Sequence, residues 1–258
     1  MPFIKVKGLQ LDYVWHGPPT ASSPTIVFLH EGLGCVEMWR DFPEQLVQET
    51  GYGALVYSRA GYGKSDPVSL PRPITFMHEE ALEVLPAILE TFDISNPIIF
   101  GHSDGGSIAL IYAGSEPANS ARALILEAPH VFVEPLSIKS IEKAKENFET
   151  GSLKLSLQRY HGNNLECAFR GWNDVWLDPK FLSWNIEPFL PNIKSPVLLI
   201  QGENDQYGTR RQLDAISAAC RGILQTELLA ECGHSPHRDH PHLVLNTVSS
   251  FLRQLIPG

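Results

Sequence analysis

Gly101-His102-Ser103-Asp104-Gly105 sets a serine between two glycines, with the strand-like run "PIIF" before it and a helix-like run after it. A strand that turns sharply into a helix at a serine strains that backbone, and flanking glycines leave room for the chain to close. The hydroxyl is then exposed at the top of a sheet, with the next backbone N–H at the helix start. A serine at its ordinary pKa is a poor nucleophile, so chemistry at Ser103 needs a base and a group that orients the base. Asp205 lies just past the apolar run "PVLLIQG" and His234 follows "LLAEC", which makes them the candidate orienting acid and base. Glu203 and Glu127 are rival acids. His237, His240 and His242 crowd the same region as His234 and are expected at the surface or behind the site.

The stretch "FLHEGLG" (28–34) is a strand ending in His30-Glu31-Gly32. A loop of that kind can turn a backbone N–H toward the serine, and together with the Asp104 N–H it would bind the negative oxygen of a tetrahedral intermediate. Gly32 is favoured over Glu31 as the loop donor. Asp104 itself has two readings. Beside a developing negative charge, its carboxylate costs catalysis unless it holds a cationic group of the substrate, with Glu31 as a second acid on the facing loop. Alternatively it accepts N–H bonds at the helix start, where negative charge is favourable.

Positioning these groups requires strands that end where the groups begin. "TIVFLHEG" (25–32), "GALVYSRAGYG" (53–63), "PIIFGHS", "ALILEAPH" (123–130) and "PVLLIQGEND" (196–205) are nearly continuous apolar runs, the pattern of strands buried on both faces of a parallel sheet. "TELLAECGH" (226–234) is a weaker example, and residues 3–16 read as two short strands around Gly8. Residues 76–92, 104–115 and 240–256 read as helices. In the first of these Met77, Ala81, Leu82, Leu85, Ile88, Leu89 and Phe92 recur at three- and four-residue spacing, and Pro86 should kink or split the helix. The alternation implies an α/β fold with a mostly parallel central sheet flanked by helices. Residues 131–195 contain no clear buried strand. They are expected to form a small, mostly helical cap between core segments 1–130 and 196–258, over the carboxyl edge where ligands of open α/β sheets bind. This stretch carries Trp172, Trp176 and Trp184, which could line a pocket or fill the cap's own core.

Composition sets bounds. With 43% hydrophobic and 19% charged residues over 258 positions, the chain can bury a substantial core. A net charge of -9 argues against nucleic acid or an anionic membrane as partner. Cys35, Cys167, Cys220 and Cys232 lie far apart with no C-x-x-C pair, which suits reduced thiols in a cytoplasm. No apolar leader or run long enough to span a bilayer is read. The expected partner is a small-molecule substrate, no metal or cofactor is called for, and the sequence carries no sign of oligomeric state.

Together "HEGLG", "SRAGYGKS" (58–65), "GHSDGG", "GENDQYG" and "CGHSPH" resemble the α/β-hydrolase family over nearly the full length. The order Ser103, Asp205, His234, each just beyond a predicted strand, is that family's triad order. The Ser-Asp-Gly-Gly elbow, the strand ending "EAPH" and the tryptophan-bearing cap are similar to the biphenyl-hydrolase-like group that includes valacyclovirase. That resemblance implies a serine hydrolase of small carboxylic esters, and it carries recognition of an α-ammonium onto Asp104 alone. The residues expected to contact substrate are His30, Glu31, Asp104, His130, Trp172, Trp176 and Tyr207. Glu31 departs from the commoner His-Gly start of the oxyanion loop. An aspartate nucleophile, as in haloalkane dehalogenases and epoxide hydrolases, would shift the glycine frame and put His102 where a small residue is needed. Carbon–carbon bond hydrolysis of ring-cleavage products uses the same triad, although its anionic substrates suit an acid-lined pocket less well. A catalytically idle ligand-binding protein of this fold can also retain every triad residue.

Overall fold

A computed structural model describes residues 2–20, 23–115 and 121–255. Eight strands form one sheet: β1 (Phe3–Val6), β2 (Leu9–His16), β3 (Thr25–Leu29), β4 (Gly53–Tyr57), β5 (Ile98–His102), β6 (Ala123–Glu127), β7 (Val197–Gly202) and β8 (Leu224–Leu229), in spatial order β1-β2-β4-β3-β5-β6-β7-β8. The β1–β2 and β2–β4 pairs are antiparallel, and every later pair is parallel. Every residue of β3 to β7 is buried, as their unbroken apolar runs require. β8 closes the sheet edge and buries only Leu229, which explains its weaker sequence signal.

Alternation along the strands sorts side chains onto two faces. Ile26, Phe28, Ala54, Val56 and Phe100 join α1 (Phe42–Thr50) and α10 (Pro241–Leu255) in one apolar cluster. Val27, Leu29, Leu55 and Tyr57 pack on the other face, with α4 (Asp104–Ser115) and α8 (Arg210–Ala219). On that same face lie α2 (Phe76–Glu79) and α3 (Leu85–Thr91), joined by a π-helical turn over Glu80–Val84. The expected break at Pro86 is therefore a widened turn. Pro86 has no N–H to donate and its ring would crowd the carbonyl four residues back, and a π turn relieves both without ending the helix. The 104–115 helix stands as predicted. The 240–256 helix runs to Leu255, and residue 256 lies outside the described residues.

Residues 131–195 hold α5 (Pro135–Thr150), α6 (Leu153–His161) and α7 (Leu165–Trp176), then short 3-10 turns, with a single bridge between Phe132 and Asn185. Their apolar side chains, among them Ile141, Leu157, Phe169 and Trp176, belong to the same cluster as Leu29 and Leu55 of the sheet. Two short helices, α9 (Pro236–Asp239) and the 3-10 turn Val36–Trp39, flank the sheet's carboxyl end.

A very close backbone crossing lies at the start of α4. A Cβ on Gly105 would stand 2.0 Å from the Leu29 carbonyl oxygen and 2.9 Å from that of His30. Only glycine lets α4 cross the end of β3 that closely. Gly105→Ala should therefore cost about 3 kcal/mol or more in urea unfolding, since neither partner is a movable side chain. A variant as stable as the parent would mean that α4 can slide away from β3.

Candidate active site

Ser103 sits between β5 and α4 with φ 53, a left-handed conformation rare for a residue with a Cβ. Its N–H donates to the Glu127 carbonyl (2.9 Å), and its own carbonyl accepts the Ser107 N–H (3.0 Å). Gly101 permits the turn, because a Cβ there would meet the Gly105 carbonyl oxygen at 2.5 Å. The elbow is thus held from both neighbouring elements.

Asp205 and His234 reach the same place from the ends of β7 and β8. The His234 Nδ1–H donates to Asp205 Oδ1 at 2.8 Å. That oxygen also accepts the Tyr207 N–H at 2.8 Å, and Oδ2 accepts from Gln201 Nε2 at 3.0 Å. Burial alone would raise the Asp205 pKa, yet His234 and these hydrogen bonds hold it far below the usual carboxylate range. His234 Nε2 has no hydrogen-bond partner among the described residues. Ser103 and His234 line one cavity of about 190 Å³, as do Asp104, His130, Trp172, Trp176 and Tyr207.

The two rival acids are placed elsewhere. Glu203 is exposed, while Glu127 accepts a 2.5 Å bond from His237 Nδ1. His237 is buried rather than at the surface, His242 is exposed, and His240 is half-buried against the Ala230 carbonyl. His102, Glu127 and His237 bring ligand-type atoms within 4.8 Å of one another. The Glu127–His237 contact is a hydrogen bond, closer than two ligands of one metal ion stand. His102 Nε2 is already engaged with the His234 carbonyl at 2.7 Å. The cluster is a hydrogen-bonded one and does not fit a coordination sphere.

The loop after β3 is held by residues that the sequence did not single out. Arg59 is fully buried and donates to the His30 carbonyl (2.7 Å) and the Glu31 carbonyl (3.1 Å). His30 spends both ring nitrogens on backbone: Nδ1 on the Glu31 carbonyl (2.7 Å) and Nε2 on the Arg59 N–H (3.1 Å). It does not line the cavity, so the expected substrate contact at His30 is replaced by a bracing one. Glu31 lines the cavity, but its carboxylate meets Arg238 at 3.1 Å and His102 Nδ1 at 3.5 Å. Burial would raise its pKa, yet His102 and Arg238 hold it well below the ordinary value. Glu31 therefore does not face Asp104 as a second free acid. It ties the β3 loop to the elbow through His102 and to α9 through Arg238. Gly32 lies under Trp172, whose indole would be 2.2 Å from a Cβ there. The Gly32 N–H has no protein acceptor among the described residues, and the Asp104 N–H opens a helix, where no intrahelical acceptor exists.

Asp104 is fully buried. Oδ1 accepts from the Trp176 indole at 3.2 Å, and Oδ2 has no partner among the described residues. No cap bond from the helix backbone is made, so the expected capping geometry is absent among the described residues. Burial pushes its pKa up to about 6, against the opposing pull of Arg59, Trp176 and Arg72. His130, beside Trp176 and His234, is lowered to about 4 by burial and by the His234 charge, which leaves it neutral near pH 7. Trp184 stacks on Phe181 (5.3 Å) and fills core instead of lining the cavity. Among the described residues no helix is long and apolar enough to cross a membrane.

Residues 26–247 match the family described as "Alpha/beta hydrolase family". The 2-hydroxy-6-oxo-6-phenylhexa-2,4-dienoate hydrolase of Comamonas testosteroni is 23% identical over 98% of this chain and 96% of its own length. Epoxide hydrolase 4 of Mus musculus is also 23% identical, over 97% of this chain and 78% of its own. Among solved structures, an esterase from Exiguobacterium antarcticum superposes with a TM-score of 0.77 at 19% identity, covering 97% of this chain and 98% of that one. At that identity the likeness is one of fold.

The buried carboxyl of Asp104 makes stability fall as pH rises through its folded-state pKa. Below about pH 4 it is protonated in both folded and unfolded chains; between pH 4 and 6 only the folded chain holds the proton, so its contribution to stability is lost as pH rises. A rise from 3.8 to about 6 corresponds to ~3 kcal/mol. Asp104→Asn, neutral throughout, should gain about that much relative to the parent between pH 3.5 and 7.5 in urea titrations. A pH-independent difference would place the carboxyl in a better solvated setting.

Proposed function

The chain belongs to the alpha/beta hydrolase family and is a hydrolase enzyme, and we propose that it cleaves small carboxylic esters through an acyl-enzyme on Ser103. The observation that carries this reading is a left-handed serine that shares one cavity with a histidine held by Asp205. Ser103 Oγ attacks the ester carbonyl as its proton passes to His234 Nε2, and Asp205 holds the imidazole in the tautomer that can accept it. The oxyanion of the tetrahedral intermediate takes hydrogen bonds from the Gly32 and Asp104 N–H groups. Collapse expels the alcohol, which receives the proton from His234. A water molecule then attacks the acyl carbonyl, gives its proton to His234, and releases the acid with the serine restored.

The acyl group meets Asp104, whose Oδ2 is buried without a partner. A cationic donor, such as the α-ammonium of an amino-acid ester, would satisfy that oxygen, in keeping with specificity of the valacyclovirase-like kind. An anionic dienoate, the substrate class in the name of the Comamonas relative, would instead be repelled by the same carboxylate, which favours the ester reading over carbon–carbon hydrolysis.

Ser103→Ala should lower ester turnover by about 10⁶, as loss of a subtilisin's serine does, and a fluorophosphonate should add one adduct to the peptide holding Ser103. Labelling at another residue, or activity that survives the substitution, would overturn the nucleophile assignment, and absence of any turnover would favour an idle ligand-binding protein. Asp104→Asn should cut kcat/KM roughly 10- to 150-fold on an α-amino ester, the range for a lost charge-assisted contact, and leave the uncharged isosteric ester nearly untouched. Equal losses on both substrates would make Asp104 a support of the elbow alone.

A further inference from the structure

A second cavity of about 300 Å³ adjoins the first, and Tyr207 and Leu153 line both. α5 supplies a wall to each: Ser137 and Ile141 to the first, Ser140, Ala144 and Asn147 to the second. From Ser137 to Asn147 that helix face runs ~15 Å. The Tyr207 loop is pinned to it, since the Ser137 and Ser140 hydroxyls donate to the carbonyls of Tyr207 and Gln206.

Direction follows from the chemistry. The departing alcohol oxygen must take its proton from His234, so the leaving group lies on the His234 side of the scissile bond. The Tyr207 ring stands 4.8 Å from the His234 ring, and the same residue lines the second cavity, which His234 does not reach. The acyl group therefore faces Asp104, and the leaving group faces Tyr207 and the space beyond it.

Beside the apolar Ala144 and Leu153, that space meets the donors Lys143 and Asn147. Lys143 makes no ion pair among the described residues, although the chain carries a net charge of -9. Asn147, one helical turn on, spends Oδ1 on the N–H groups of Ser152 (3.1 Å) and Leu153 (3.4 Å), which leaves its NH₂ as the free end. None of the acids of α5 (Glu142, Glu146, Glu149) lines the cavity.

We propose that the second cavity is a leaving-group subsite for alcohols that carry a carboxylate at the far end, held by Lys143 and the Asn147 amide. The proposal rests on the ester-hydrolase reading above, and its test separates the two. The readout is the ratio of kcat/KM for 6-acetoxyhexanoate to that for its neutral twin 6-acetoxyhexanamide, with phenyl acetate as a short control. The parent enzyme should prefer the carboxylate roughly two- to fivefold at low ionic strength, the size of a solvent-exposed ion pair, and the preference should fade in high salt. Lys143→Ala should bring the ratio near one, and Lys143→Glu should invert it. Turnover of phenyl acetate with the same ratio in all three proteins would overturn the subsite alone. Failure on phenyl acetate as well would strike the ester reading, and calorimetric binding of 6-hydroxyhexanoate against 6-hydroxyhexanamide to the same three proteins would then decide the subsite. Weaker carboxylate binding after charge reversal upholds it, and indifference rejects it.

Discussion

The approach of Gly105 to the end of β3 is the contact on which the site depends. With no Cβ at Gly105, the first turn of α4 lies against the Leu29 and His30 carbonyls. That single crossing sets the N-terminus of a nearly all-buried helix beside the β3 loop. It also forces the connection from β5 through a left-handed Ser103, at a cost of about 1–3 kcal/mol. The cost is offset by backbone bonds on both sides of the serine, to Glu127 before it and from Ser107 after it. A candidate nucleophile and two candidate oxyanion donors thus come from one geometric requirement.

Around this crossing the protein buries several charges, each with its own partners. Arg59 braces two carbonyls of the β3 loop with its planar fork. Arg72 and Glu80 pair at 3.2 Å with both side chains almost fully buried. Glu31 joins Arg238 and His102. Removing one member of such a pair strands the other, so these groups specify the arrangement of three loops more than they add to stability. Asp104 differs from them: among the described residues one oxygen meets an indole N–H alone and the other has no hydrogen-bond partner. Nearby arginines do not overcome its burial, which pushes its pKa up to about 6.

Among the described residues, two hydrogen-bonded carboxylate–histidine pairs lie side by side behind and within the cavity. Asp205–His234 opens onto it, while Glu127–His237 is shut in beneath Trp39 and Phe42. The histidines are only three residues apart in the chain. Their separate fates come from α9, whose single turn begins at Pro236 and directs His237 into the core while His234 stays in the preceding loop.

Much of this was legible in the residues alone, because the signals are local. Continuous apolar runs identify β3 to β7, and a serine framed by glycines between a run and a helix identifies the elbow. The positions of Asp205 and His234 just past strands place them at the sheet's carboxyl edge. What was not legible depends on contacts between segments far apart in sequence. Nothing near Arg59 indicates that a guanidinium would be wholly buried, since its partners lie on another strand's loop. Glu31 reads as an acid free to meet substrate until Arg238 arrives from near the other end of the chain. His30 reads as a pocket residue until both its nitrogens find backbone. Asp104 reads equally as a helix cap or a ligand, and the indole of Trp176 decides which atoms it meets. Strand and turn preferences act over a few residues and so are written in the sequence. The pairing of buried charges is set by which loops the sheet order makes neighbours, and only the folded chain decides that.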